Sequence, residues 1–170
     1  NGYLHSSFPI GACIVTDANE VIAVESNASG IHTLDHAEYR AIRKIESQEM
    51  LSRSTIYSIM EPCPMCTGAI RLAKIRNLHF AAYDPAAGFS SHLRNGEFMS
   101  SFDCTVVGPK QPDLEKVVVA LNTECRLRLG KTRWHKNWIS RYPDSFEVGR
   151  RLNSYGQFDK WRNSNASPED

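Results

Sequence analysis

One pattern constrains this chain more than any other: His36-Ala37-Glu38, followed downstream by Glu61-Pro62-Cys63-Pro64-Met65-Cys66. One imidazole and two thiols can supply three ligands to a tetrahedral zinc ion, provided the fold brings residue 36 against residues 63–66. Three protein ligands leave the fourth position for water, which is the arrangement of a catalytic zinc site and not of a structural one. Zinc lowers the pKa of bound water to about 7, so a nucleophile is available at neutral pH. Glu38 is not needed as a ligand and is free to move protons. Cys63 and Cys66 lie three apart at an expected helix start, where they share a face and where free amides and the helix dipole favour thiolates. His36 and Glu38 are two apart, a spacing that on a regular helix splays them by roughly 200°. The spacing therefore permits a shared site from an irregular first turn but does not require one.

Other readings of the same residues stand beside this one. A CxxC pair alone is also a redox motif, although His36 and Glu38 upstream favour zinc. A structural zinc site would need a fourth ligand, for which His32 and His79 are the candidates. Asp35 reads as an N-cap with Glu38 three residues later, as in a capping box, which would give Glu38 a structural role. The five cysteines are odd in number and include the CxxC pair, which suits a reducing compartment better than a disulfide framework. A cytoplasmic protein is expected.

Charge is unevenly spread. Residues 1–125 hold 10 Lys and Arg against 14 Asp and Glu, whereas residues 126–170 hold 10 against 5. The basic end carries interleaved aromatics in Arg133, Trp134, His135, Lys136 and Trp138, a surface that could touch phosphates; a solvated tail or a dimer arm is the plainer reading. No apolar run approaches a membrane span, and the start shows no secretory signal. The chain opens at Asn1 and not at Met, which reads as a native N-terminus lying upstream.

The hydrophobic pattern predicts two short strands over 13–15 and 21–24 around the polar turn 17–20, hence a hairpin. A helix follows from Asp35 through about Glu49, with Ala37, Ala41, Ile42 and Ile45 on its apolar stripe. Thr55–Met60 reads as a buried strand. The next helix starts at Pro62–Pro64, is lined by Met65, Ala69, Ile70, Leu72, Ala73 and Ile75, and closes near Asn77. Strands are expected over 78–83 and 102–107, separated by a polar loop over 84–100. A helix over 113–129 carries Leu114, Val117, Val118, Leu121 and Cys125 on one side. Trp134, Trp138, Tyr142, Phe146 and Leu152 then suggest a helical face, and polar residues from Asn163 read as disordered. The order of elements suggests a mixed sheet covered by helices. Two parts are expected: residues 1–130 as the zinc-dependent domain, and 131–170 as a basic aromatic extension packed on it.

The combination H-x-E with P-C-x-x-C resembles the signature of zinc deaminases of nucleobases. The likeness covers roughly residues 8–107. Within the cytidine deaminase superfamily, Pro62-Cys63-Pro64-Met65-Cys66 is similar to the branch of tRNA adenosine deaminases and bacterial guanine deaminases. Pro9-Ile10-Gly11-Ala12 and Asp84-Pro85-Ala86-Ala87-Gly88 resemble the tRNA enzymes more. The resemblance implies an α/β fold of three layers, with a five-stranded mixed sheet and helices on both faces, usually as a homodimer. It implies that His36, Cys63 and Cys66 bind Zn2+ and that Glu38 shuttles protons. It also implies that Asn27 contacts the base or ribose, that Ala12 floors the pocket, that Ala37 gives a backbone donor, and that Asp84 stands at the rim. The family has a helix before the first strand, where this chain has at most nine residues before Pro9, and the segment after Gly130 is longer than the tRNA enzymes require.

The reaction implied is hydrolytic loss of an exocyclic amine from a nucleobase as ammonia. A purine is favoured, as adenosine in tRNA or as a free base or nucleoside. A deaminase of free cytosine-type or other heterocyclic amines is the alternative, as is a silent deaminase-like subunit that binds RNA. The presence of Glu38 speaks against the silent reading.

Overall fold

A computed structural model of the chain describes residues 7–93 and 103–164. The expected hairpin is present. Strands β1 (Gly11–Val15) and β2 (Val21–Ser26) run antiparallel, and Asn19 takes the left-handed conformation (φ 62°) that the tight turn between them needs. Strand β3 (Thr55–Met60) pairs antiparallel with β1 and parallel with β4 (Asn77–Ala82), and β4 pairs parallel with β5 (Thr105–Val107). The five-stranded mixed sheet has the order β2-β1-β3-β4-β5. The expected strand start at Phe102 and the loop residues 94–101 lie outside the described residues.

Helices α1 (Ala37–Arg43), α2 (Gln48–Ser52) and α3 (Pro64–Leu72) accompany one face of the sheet. Ile14, Ile56 and Leu78 from the strands are fully buried there with Ala41 of α1 and Ile70 of α3. The single helix expected from Asp35 to Glu49 is instead two. The first stops where Lys44 and Ile45 turn back to Ala41 and Ile42, and Ser47 caps a new helix through the Met50 amide. Helix α3 also ends earlier than expected, because Lys74 adopts φ 57° and turns the chain into β4. Leu72, expected on the apolar line, is 71% exposed. Strand β3 is half-buried and not fully buried: Ile56, Ser58 and Met60 point in, while Tyr57 and Ile59 point out.

On the other face, helix α4 (Pro112–Arg128) packs along β4. Leu114 and Val117, expected on its core side, are exposed, because the helix buries Val118, Val119, Asn122 and Thr123 instead. It is gripped from two directions, by the sheet and by α6 (Pro143–Ser154). A side chain at Gly149 of α6 would collide with the Ala120 carbonyl and Thr123, so the close crossing requires glycine. Pro143 splits the expected aromatic face into α5 (His135–Arg141) and α6. Trp138 is fully buried with Val118, Val119, Met60, Ala82 and Phe146, whereas Trp134 is exposed. Residues 135–154 thus share a core with the sheet. Helix α7 (Gln157–Ser164) includes Asn163, and the rest of the tail expected to be disordered lies outside the described residues.

Candidate metal centre and active site

The topology brings the two motif halves together. His36 is the residue before α1, with extended backbone (φ −72°, ψ 149°), and Cys63 holds the same place before α3 (φ −71°, ψ 172°). Cys63 follows the carboxyl end of β3, where open α/β sheets place their ligands. The difficulty posed by the His36–Glu38 spacing disappears, because His36 is not in helical conformation and Glu38 is. No capping box forms: His36, not Asp35, precedes the helix, and Asp35 pairs loosely with Arg40 (3.6 Å) and Arg43 (3.9 Å). The Glu38 carboxylate turns inward. Its Oε1 accepts from Ser58 Oγ at 3.1 Å, and its Oε2 lies 3.5 Å from Cys66 Sγ.

The donor atoms of His36, Cys63 and Cys66 form a compact group. His36 Nδ1 is 3.5 Å from Cys63 Sγ and 3.6 Å from Cys66 Sγ. Zinc bonds of about 2.3 Å to sulfur and 2.0–2.1 Å to nitrogen, at the tetrahedral angle, place such donors about 3.6 Å apart. The residues present therefore fit zinc in both donor type and spacing. Neither His32 nor His79 joins the group: His32 is exposed, and the His79 ring packs against Tyr57 at a tilt of 38°, with centroids 4.9 Å apart. Among the described residues the cluster has three donors and no fourth.

Protonation within the cluster follows from burial and mutual contact. The Cys63 thiol is held down to about 4, chiefly because Cys66 donates to its thiolate, with the His36 ring also contributing against the cost of burial. The Cys66 thiol is pushed up by that same contact, then by burial and by the Glu38 carboxylate. His36 is raised by its bond to the Cys63 thiolate, and Glu38 is raised by burial. Protons on Cys66 and His36 occupy positions that a cation takes over when the ligands coordinate.

The other sequence-predicted residues are placed as follows. Ala37 opens α1 and is fully buried between His36 and Glu38. Ala12 pairs with Ser58 across the β1–β3 ladder, on the side of the sheet that receives Glu38. Asn27 is 2% exposed, and its Oδ1 accepts from both Ser29 N and Ser29 Oγ. Its loop is tied toward the centre by the Ala28 amide, which donates to the Asp35 carbonyl. Asp84 follows β4, and its Oδ1 caps the turn through the Ala86 and Ala87 amides.

Two groups escaped the sequence reading. Ser58, which holds Glu38, reads only as a polar residue in a strand. Glu61 reads as part of the motif without a role, yet its carboxylate accepts from Asp84 N (3.3 Å), Ser90 N (3.2 Å) and Ser90 Oγ (2.6 Å). A side chain at Gly88 would collide with that carboxylate, and Phe89 N donates to the Pro62 carbonyl. Residues 84–90 are thus fastened to the two residues that precede Cys63. An acid next to Pro62-Cys63 and a glycine in the loop were the only signals available.

Residues 1–82 match the cytidine and deoxycytidylate deaminase zinc-binding region. The chain is 37% identical over 92 residues to a tRNA-specific adenosine deaminase of Bacillus subtilis (strain 168), a match covering 51% of this chain and 56% of that protein. It is 36% identical over 84 residues to a tRNA-specific adenosine deaminase of Agrobacterium fabrum (strain C58), covering 47% and 55%. The chain thus spans about half the length of the curated relatives it matches. Among solved structures, one from studies of A-to-I editing by tRNA:A34 deaminases superposes with a TM-score of 0.56 at 29% identity, over 67% of this chain and 87% of that one. A guanine deaminase from Nitrosomonas europaea superposes with a TM-score of 0.57 over 74% and 77% of the two chains; at 22% identity it shares the fold.

Proposed function

We propose that this chain, whose residues 1–82 match the cytidine and deoxycytidylate deaminase zinc-binding region, is a member of the cytidine deaminase superfamily and a zinc-dependent hydrolytic deaminase of a purine, with adenosine in tRNA as the first candidate. The observation that carries the reading is the buried Glu38 carboxylate against a three-donor His36, Cys63, Cys66 cluster that has the spacing of a tetrahedral zinc site. Zinc held there supplies positive charge that acidifies a water.

Glu38 takes one proton from the attacking water and gives it to the ring nitrogen, then takes the remaining hydroxyl proton and gives it to the departing amine. Water and the amino-purine go to a carbonyl base and ammonia, and the carboxylate ends as it began. Burial, which raises its pKa, moves it toward the range where it both accepts and returns a proton near neutrality. Ser58 holds the carboxyl by one oxygen and leaves the other toward Cys66. Ala12 and Ala37, small and buried, leave room for a planar base beside it. Both lone pairs of Asn27 Oδ1 are used within its loop, so its contact with base or ribose runs through the Nδ2 donor. Asp84 closes the rim.

The curated tRNA-specific relatives support the tRNA assignment. A homodimer and a cytoplasmic location complete the reading; no described helix is long and apolar enough to cross a membrane. The test is ammonia release by the zinc-loaded protein from bases, nucleosides and tRNA. Release from adenosine in tRNA is expected. Release from a free purine alone moves the substrate but keeps the reaction. Release from cytosine compounds alone, or from nothing, overturns the proposal in favour of a pyrimidine enzyme or a silent RNA-binding subunit.

A further inference from the structure

The segment after residue 130 has no role in the reaction as derived above, yet it touches residues 83–85, just after β4, at several points. Tyr142 stands between α5 and α6, and its hydroxyl meets the backbone of Tyr83, next to Asp84. The hydroxyl donates to Glu115 Oε1 (2.6 Å) and accepts from Tyr83 N (3.2 Å) and Arg141 Nε (3.2 Å). One donor and two acceptor sites are all that a phenol hydroxyl has, so its capacity is filled. One turn earlier, Asn137 Nδ2 donates to the Pro85 carbonyl at 3.0 Å. The Arg141 guanidinium lies over the Tyr83 ring at 4.4 Å. Arg126 of α4 lies over the Trp138 ring at 5.0 Å and 3.9 Å from Asp84 Oδ2.

These contacts bear on Tyr83, Asp84 and Pro85 from the outside. Glu61 holds the same stretch from the inside through the Asp84 amide, two residues before Cys63. Residues 83–85 are therefore clasped between the metal-binding motif and α5. We infer that α5 and Tyr142 form a brace that sets the rim of the site, with Tyr142 and Asn137 as positioning residues. The inference rests on the deaminase reading for its catalytic consequence, but not for the brace itself. Burial and the Glu115 contact raise the Tyr142 hydroxyl to about 12, so it stays a donor through the neutral range. The brace gives the long C-terminal segment a task that needs no nucleic acid.

Tyr142→Phe keeps the ring and removes the hydroxyl. Asn137→Ala removes the second tie at an exposed position, where folding is not at stake. Amide exchange at Tyr83, Asp84 and Ala86 (Pro85 has no amide hydrogen), zinc content and steady-state kinetics on the substrate found above are measured for both variants. One hydrogen bond lost predicts exchange about 3- to 10-fold faster at Tyr83, Asp84 and Ala86 with β1–β3 unchanged. It also predicts KM raised by a similar factor, kcat within about twofold and zinc content at the wild-type value. Unchanged exchange at Tyr83, Asp84 and Ala86 in both variants refutes the brace. Faster exchange with unchanged KM refutes its role at the site and leaves a packing contact. If the wild-type protein deaminates nothing, the function proposed above fails, and exchange alone still decides whether the brace exists.

Discussion

Replacing Glu38 by glutamine separates a chemical role for this residue from a structural one. Glu38 is 3% exposed; one carboxylate oxygen accepts from Ser58 Oγ, the other faces Cys66 Sγ, and the residue's own backbone amide also donates to the carboxylate. Glutamine preserves the volume and the oxygen that Ser58 needs, but it cannot take a proton. Loss of a positioned proton carrier costs about 10²–10⁴ in rate, or roughly 3–5 kcal/mol of barrier. Burial disfavours the charged carboxylate, so the neutral side chain leaves the metal-free fold as stable or slightly more stable. A capping box would behave otherwise: it accepts glutamine as well as glutamate at this position, and only Glu38→Ala removes it. Its loss costs about 0.5–2 kcal/mol, which for a domain of this size lowers the melting temperature by roughly 1–8 °C. The assay pairs kcat for ammonia release with a thermal melt, at wild-type zinc content. A Glu38→Gln variant that keeps more than about a tenth of the wild-type kcat refutes the proton-shuttle argument. One that keeps both its activity and its melting temperature, while Glu38→Ala melts lower, restores the capping reading.

Other outcomes follow from the same structure. Trp138→Ala should destabilise the whole domain by about 3–5 kcal/mol, read by denaturant unfolding, because Trp138 is fully buried beside Val118 and Val119. Deleting residues 131–170 should unfold the protein for the same reason, so a nucleic-acid role of the segment is better tested with Arg133→Ala and Lys136→Ala. Both residues are exposed. If tRNA binds there, each substitution should reduce the salt slope of binding by about 1, and unchanged slopes assign the segment to structure alone. Glu25 binds Lys44 and Arg40, which hold its pKa below the usual value of 4.5. A lowered folded pKa gives stability that is present above the unfolded value and lost as pH falls through the folded one. Melting temperatures of the wild type should therefore fall below about pH 4.5 more steeply than those of Glu25→Gln. Parallel curves would show that the pair adds nothing.

The chemistry was legible where it is written in residue type and spacing. His36, Cys63 and Cys66 announce their donor set, and Glu38 stands out as the acid left over. Short apolar and β-branched runs between turn residues marked the five strands, but not the alternation along β3, whose outward Tyr57 and Ile59 are as apolar as its inward residues. Helix lengths were less legible. The break after Arg43 depends on Ser47 starting a second helix, and the stop after α3 depends on Lys74 at positive φ, which no periodicity encodes. The buried side of α4 was misread because two neighbours grip it, so its buried residues span more than one stripe. Glu61 and Tyr142 were illegible for a deeper reason. Their partners, Ser90 and Asp84 for one and Tyr83 and Glu115 for the other, become neighbours only once the chain has folded.

The central claim is a zinc centre with three protein ligands and one open position. X-ray absorption at the zinc edge of the purified protein reads this directly. The account predicts one zinc per chain with two sulfurs at about 2.3 Å and two light atoms at about 2.0–2.1 Å, one of them from solvent. Cys66→Ala should lose the metal. A shell with a third sulfur or a second imidazole would make the site structural, and a zinc-free protein with Cys63 and Cys66 joined as a disulfide would contradict the account altogether.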